Sequence, residues 1–156
     1  MDYAFGGWEL ASSIRFGTGF PVDMQAPSSL GQYGFSGTQP PDISDGKAVK
    51  LSNPTPSEWF NTSVFSAPPP YTVGTAPRRL NALRADGQHN MDLAVLKNFV
   101  FRERIRTQFR AEFFNLTNTP QFSWPNTTVG STTFGQVTAT TNVTPRNVQF
   151  GLKVEF

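Results

Sequence analysis

Val148-Gln149-Phe150-Gly151-Leu152-Lys153-Val154-Glu155-Phe156 closes the chain and alternates without a break. Val148, Phe150, Leu152, Val154 and Phe156 take every second position, and Gln149, Gly151, Lys153 and Glu155 fill the gaps. That strict period of two belongs to a strand with one apolar and one polar face. A helix would scatter the same apolar residues around its circumference. The last residues of a soluble sheet tend to fray, so a patterned strand that ends on an aromatic calls for a reason. Either the chain is a soluble β-protein with an alternating last strand, or something else reads that strand.

Three further segments carry the same pattern. From Trp8 to Phe20, one face holds Trp8, Leu10, Ile14, Phe16 and Phe20, with Ser12 and Thr18 between them. Glu9, Ala11, Ser13, Arg15, Gly17 and Gly19 form the other. At ~3.3 Å per residue this strand is roughly 40 Å long, or about 28 Å high at a ~45° tilt. Soluble strands are typically about half that length, whereas the apolar band of a membrane-spanning barrel is ~25 Å tall with aromatics at its rims. Between Asn90 and Phe101, Met91, Leu93, Val95, Phe99 and Phe101 alternate with Asp92, Ala94, Leu96 and Asn98. Lys97 interrupts that apolar face, and near a rim it is expected to snorkel toward polar head-groups. Arg102-Glu103-Arg104 predicts a short charged turn. Ile105, Thr107, Phe109, Ala111 and Phe113 then alternate with Arg106, Gln108, Arg110 and Glu112. Ile105, Phe109, Phe113 and Leu116 are also spaced for an amphipathic helix, which stays open, but a four-residue turn after a β-patterned run favours a hairpin. The expectation is an all-β fold with antiparallel strands near 8–20, 90–100, 104–115 and 147–156.

Long tracts separate these strands. Ten of the 13 prolines fall between Pro21 and Gln88, including Pro40-Pro41 and Pro68-Pro69-Pro70. Proline removes ladder donors, so 21–88 is expected to be mostly irregular. Tyr33, Phe35, Trp59, Phe60, Phe65 and Tyr71 nonetheless argue for a partly packed excursion. The tract 116–146 holds ten threonines with Pro120, Pro125, Pro145, Gly130 and Gly135. The order is long loop, short turn, long loop, the arrangement of the two ends of an outer-membrane barrel.

The bulk numbers narrow the class. The chain has 156 residues, a net charge of +2, no cysteine and 15% charged residues. Nothing in it matches a run of roughly 20 apolar residues for a membrane helix, and barrel strands give a far weaker signal. The small, scattered charge leaves nucleic acid without an electrostatic footprint. Zero cysteines exclude disulfides and thiolate metal sites. Met1-Asp2-Tyr3 opens with neither a charged segment nor an apolar core, so no signal peptide is read there.

Gln149, Gly151, Val154 and Phe156 resemble the C-terminal assembly signal of outer-membrane β-barrel proteins. A more specific resemblance runs along nearly the whole chain. Trp59-Phe60-Asn61 with Phe65, Asn90-Met91-Asp92-Leu93 with Leu96-Lys97-Asn98-Phe99, and Gln108-Phe109-Arg110-Ala111-Glu112 look like the end of TonB-dependent receptors of the Oar-like type. So do Phe114-Asn115-Leu116-Thr117-Asn118-Thr119-Pro120-Gln121-Phe122 and Phe134-Gly135 with Pro145-Arg146 and Gln149. Gly17, Gly19 and Pro21 resemble the strand-to-loop exit one hairpin earlier. The pattern departs at Arg84-Ala85-Asp86-Gly87, where such receptors more often show Arg-Gly-Pro-Gly. The resemblance implies a Gram-negative outer-membrane location and a 22-stranded barrel with an internal plug. It also implies, as partners, outer-membrane lipid, the barrel-assembly machinery, the TonB energy-coupling complex and an unknown nutrient ligand. About four strands cannot close a lipid-spanning barrel, so the chain is expected to be the C-terminal part of a larger receptor.

No catalytic constellation emerges, and no cofactor is expected. His89 has no metal-ligand partners at suitable spacing. Asp42, Asp45 and Asp86 do not fit a calcium loop, and Gly17-Thr18-Gly19 lacks the helix needed to cradle phosphate. Glu9, Arg15, Arg106, Arg110, Glu112, Lys153 and Glu155 are expected to face a barrel lumen as a charge network rather than a catalytic set. Three functions stand side by side: energised nutrient uptake, a structural or adhesive surface role, and a soluble carbohydrate-binding β-sandwich.

Overall fold

The computed structural model describes residues 5–30, 33, 34, 36–101, 105–141 and 145–156. Its ten strands are β1 (Trp8–Gly17), β2 (Pro21–Val22), β3 (Ala26–Pro27), β4 (Thr38–Gln39), β5 (Asp42–Ile43), β6 (Phe65–Ser66), β7 (Leu80–Arg84), β8 (Gln88–Phe101), β9 (Ile105–Phe114) and β10 (Asn147–Glu155). The fold is all-β, and every strand pairing is antiparallel. The expected charged turn at 102–104 lies outside the described residues. The chain divides into two compact units.

The first unit comprises Met1–Gly17, Gln88–Pro120 and Asn142–Phe156. It is a single four-stranded sheet in the order β1-β8-β9-β10, with no strand on the outer edges of β1 and β10 among the described residues. The register sets Leu10 opposite Val95, Val95 opposite Ala111, and Ala111 opposite Phe150. The next row is Trp8, Lys97, Phe109 and Leu152. Because side chains alternate across a pleated strand, these pairings bring the apolar sets of all four strands onto one face. Leu96, Arg110 and Gly151 fall in line behind Glu9 on the other.

β9 settles the ambiguity of its segment. Residues four apart share a face in a helix and in a strand alike, so Ile105, Phe109 and Phe113 do not discriminate. Thr107 and Ala111 do, and they complete an unbroken ladder against β8 and β10. β1 stops at Gly17 rather than Phe20, and β8 starts at Gln88, the partner of Gly17.

The chain leaves β9 through an asparagine turn. Asn115 and Asn118 adopt left-handed backbone, with φ of 50° and 51°, a region where asparagine is the readiest substitute for glycine. The Asn115 N–H donates to Asp92 Oδ1 at 2.9 Å, and the Leu116 N–H donates to the Met91 carbonyl at 2.7 Å. Asn115 Oδ1 accepts from the Thr119 N–H at 3.1 Å, and Asn118 Oδ1 accepts from the Arg146 N–H at 3.2 Å. The Asn-Leu-Thr-Asn-Thr string is therefore a turn whose side chains replace the ladder.

The second unit comprises Thr18–Gly87 and Gln121–Thr141. Among the described residues its strands form only the short pairs β2-β7, β3-β4 and β5-β6, so the tract is mostly irregular, as expected. It is nevertheless built around a core of its own, formed by Val22, Met24, Ala26, Phe60, Val64, Phe65, Leu80, Leu83 and Val129. Phe60, Phe65 and Phe134 meet edge to face, with centroids 5.3–6.2 Å apart, a preferred geometry for aromatic pairs. Asn61 Oδ1 caps a single 3₁₀ turn over Thr62–Val64 by accepting from the Ser63 N–H. The Trp59 N–H donates to the Gly135 carbonyl at 2.8 Å, and the indole N–H donates to the Arg84 carbonyl at 2.9 Å. Gly135 needs its φ of 80°, and a Cβ there would meet Thr62 Cγ2 at 2.4 Å.

Candidate functional site

The sheet of the first unit has one layer, and its edge strands β1 and β10 are exposed along their whole length. Domains ordinarily bury an apolar sheet face against a second layer. Here Leu10, Ile14, Phe16, Phe150, Leu152 and Val154 stay uncovered among the described residues. A contiguous face of this kind marks a surface made for another apolar phase.

Lys97 departs from its expected behaviour. Rather than reaching outward, it is only 3% exposed. Its ammonium donates to the Gly6 carbonyl and lies 4.8 Å from the Trp8 ring centroid and 5.3 Å from that of Phe99. The aromatic faces cover the charge by cation–π contact, so the apolar face is sealed where a lysine breaks it. His89, which reads as a loop residue in the sequence, belongs to β8 and packs against Phe16 with centroids 5.9 Å apart.

On the opposite face the charged residues form short chains. Arg110 Nη1 lies 3.5 Å from Glu112 Oε1, and Glu112 Oε2 accepts from Gln149 Nε2 at 2.9 Å. Lys153 pairs with Glu155, which stands opposite Arg106 in the ladder. Gln108 Nε2 donates to Asn98 Oδ1 at 2.9 Å. Glu9 stands opposite Leu96 and Arg15 opposite Asn90, and neither makes an ion pair among the described residues. The seven charges thus share a face without joining into one network. Exposed pairs of this sort each contribute only about 0–1 kcal/mol.

The four residues of the terminal motif divide between the faces. Gln149 and Gly151 lie with the polar set, Val154 lies with the apolar set, and Phe156 follows the last ladder residue fully exposed. A Cβ at Gly151 would make only ordinary contact, 3.9 Å from Arg110 Cβ. Sterics within the sheet do not demand glycine there. Among the described residues no group of three potential metal ligands converges. No helix is long and apolar enough to cross a membrane, which does not bear on crossing by strands.

A family model described as an outer membrane beta barrel domain matches residues 1–149. The chain belongs to this outer-membrane β-barrel family. No curated protein and no solved structure matches the chain. Family membership places the barrel segment in the cell outer membrane, where the uncovered apolar face has a physical counterpart. Strands can span hydrocarbon only when every backbone group is paired, and within the segment the ladders from β1 to β10 supply those pairs.

Proposed function

We propose that β1, β8, β9 and β10 are part of the wall of a TonB-dependent receptor of the Oar-like type, which takes up a nutrient with energy from the inner membrane. The apolar face meets outer-membrane lipid, and the face bearing Glu9, Arg15, Arg106, Arg110, Glu112, Lys153 and Glu155 lines the barrel interior. The open edges of β1 and β10 join further wall strands, since an unpaired edge is untenable in hydrocarbon. β10 is the strand read by the barrel-assembly machinery. The segment contributes binding surface and wall, with no catalytic role.

One observation carries this reading. The residues behind the receptor resemblance in the loops, Trp59, Phe60, Phe65, Phe134 and Gly135, converge in the second unit on one packed core. A plain structural barrel gains nothing from joining two long loops into a unit with its own core, whereas a receptor needs a pre-formed surface for its ligand. The test is retention of the full-length protein by the periplasmic domain of TonB. Retention that depends on the coupling segment supports the receptor. Absence of retention, together with loss of cell–cell adhesion on deletion of residues 21–87, would favour an adhesive surface protein instead.

A further inference from the structure

We infer that the second unit carries a binding pocket for an acidic sugar: a ring bearing a carboxylate or sulfate, seated among Phe20, Asp23, Arg78, Arg79 and Trp124. This inference rests on the receptor reading and names the ligand class of its loop surface. The pocket, completed by Pro21, is a surface depression of about 220 Å³. Sites for drug-sized ligands run to roughly 300–1,000 Å³, so this one suits a single ring at the end of a longer molecule.

Its walls are fixed by the core behind them. Val22 is fully buried and pairs with Leu80, also buried, while their chain neighbours Asp23 and Arg79 are exposed. Trp124 is held from both sides. The Ser123 N–H and hydroxyl donate to the Ala139 carbonyl at 3.0 and 2.7 Å, and the Asn126 N–H donates to the Gln136 carbonyl at 2.8 Å. Pro125 beside it is buried. The indole itself remains 52% exposed and Phe20 72% exposed.

The chemistry of the lining is unspent. Among the described residues Arg78, Arg79 and Asp23 form no ion pair, and Trp124 and Phe20 make no ring contact. Two guanidinium groups present planar forks that match a carboxylate or sulfate. The two aromatic faces offer flat apolar area to the C–H face of a sugar ring. Asp23 accepts hydrogen bonds from hydroxyls and disfavours a bare polyanion. An anionic head, a hydroxylated rim and an apolar face together describe a uronic acid or a sulfated sugar.

The experiment titrates the full-length protein in detergent with tri-galacturonic acid, its methyl ester and inorganic sulfate, followed by calorimetry and indole fluorescence. The acid is expected to bind. The ester should bind about tenfold or more weakly, because it forfeits the charge-assisted bonds, and sulfate alone should compete poorly. Arg78→Gln with Arg79→Gln, and separately Trp124→Ala, should weaken the acid similarly, while Tyr71→Ala, exposed in the same unit, should not. Unchanged heat-modifiable mobility verifies folding of each variant. No binding of the acid, equal binding of acid and ester, or indifference to the arginine pair overturns the pocket. Acid binding without TonB retention defeats the transport reading and leaves the pocket standing. TonB retention with the acid ignored does the reverse.

Discussion

Gly19 passes so close to Ala85 that a Cβ at residue 19 would lie 1.8 Å from the Ala85 carbonyl oxygen. The approach is locked on both sides, by the Ala85 N–H donating to the Phe20 carbonyl at 3.0 Å and by Arg84 Nη1 donating to the Gly19 carbonyl at 2.8 Å. The Arg84-Ala85-Asp86-Gly87 segment, where the receptor pattern departs, thus has a defined conformation. Asp86 Oδ2 also accepts from the Phe122 N–H at 2.8 Å.

Gly19→Ala should therefore destabilise the second unit. Crowding backbone against backbone costs roughly 1–3 kcal/mol or more, and opening should become about tenfold or more frequent. Limited proteolysis of membrane-embedded protein reads this as faster cleavage within residues 18–87. An unchanged cleavage rate would show that the loop unit tolerates the methyl and is not held at this crossing.

Trp8→Ala should uncover the Lys97 ammonium on the apolar face. A lysine in the membrane costs roughly 2–4 kcal/mol at the midplane and less toward the interface. Lys97→Met removes the charge at similar length and should be near neutral. The double variant should recover part of the Trp8 loss, a coupling on the order of 0.5–3 kcal/mol. Denaturant unfolding of the parent barrel in vesicles measures all three, and strict additivity would refute the covering role of Trp8.

Asp92→Ala should leave the Asn115 N–H, in a residue only 4% exposed, without its carboxylate acceptor. The expected cost is about 1–3 kcal/mol. Asp92→Asn retains an acceptor oxygen and should cost less. Hydrogen exchange at the Asn115 and Leu116 amides distinguishes them, with faster exchange in the alanine variant alone.

Phe156→Ala in the parent protein should lower outer-membrane levels without lowering synthesis, if β10 serves as the assembly strand. Burial of one rim aromatic contributes only about 1.5–3 kcal/mol, so a large defect points to recognition rather than stability. Lys153→Ala, on the polar face, should do much less. Equal folded bands for both variants would remove the recognition role.

The sheet was legible because its information is local. In β1, β8, β9 and β10 the alternation of apolar and polar residues names the faces, and the ladder then only has to bring like faces together. Boundaries were less legible: Phe20 continues the alternation of β1, yet the crossing at Gly19 takes the chain out of the ladder. Lys97 read as an outward-reaching charge because its cover comes from Trp8, across the ladder, and from the Gly6 carbonyl. The loop core was legible only as a partly packed excursion, from aromatics such as Phe60 and Phe65, and its partners were not. Phe60, Phe65 and Phe134 show no common period, and proline-rich sequence conceals packing that is settled by contacts between distant residues. The pocket lined by Arg78, Arg79 and Trp124 follows from that core and was invisible without it.

The core of the second unit has a temporal side. Gln25 exchanges backbone hydrogen bonds with Thr127 and Val129 at 3.1 and 2.8 Å, and Phe60 meets Phe134. Such contacts of high sequence separation form late, because loop closure must precede any gain from them. Val22 meets Leu80 and Phe60 meets Phe65 within residues 18–87, whereas Val129 and Phe134 join that core only after the β8–β9 hairpin has been made. The core of the second unit is therefore complete only once both of its chain segments, Thr18–Gly87 and Gln121–Thr141, are present.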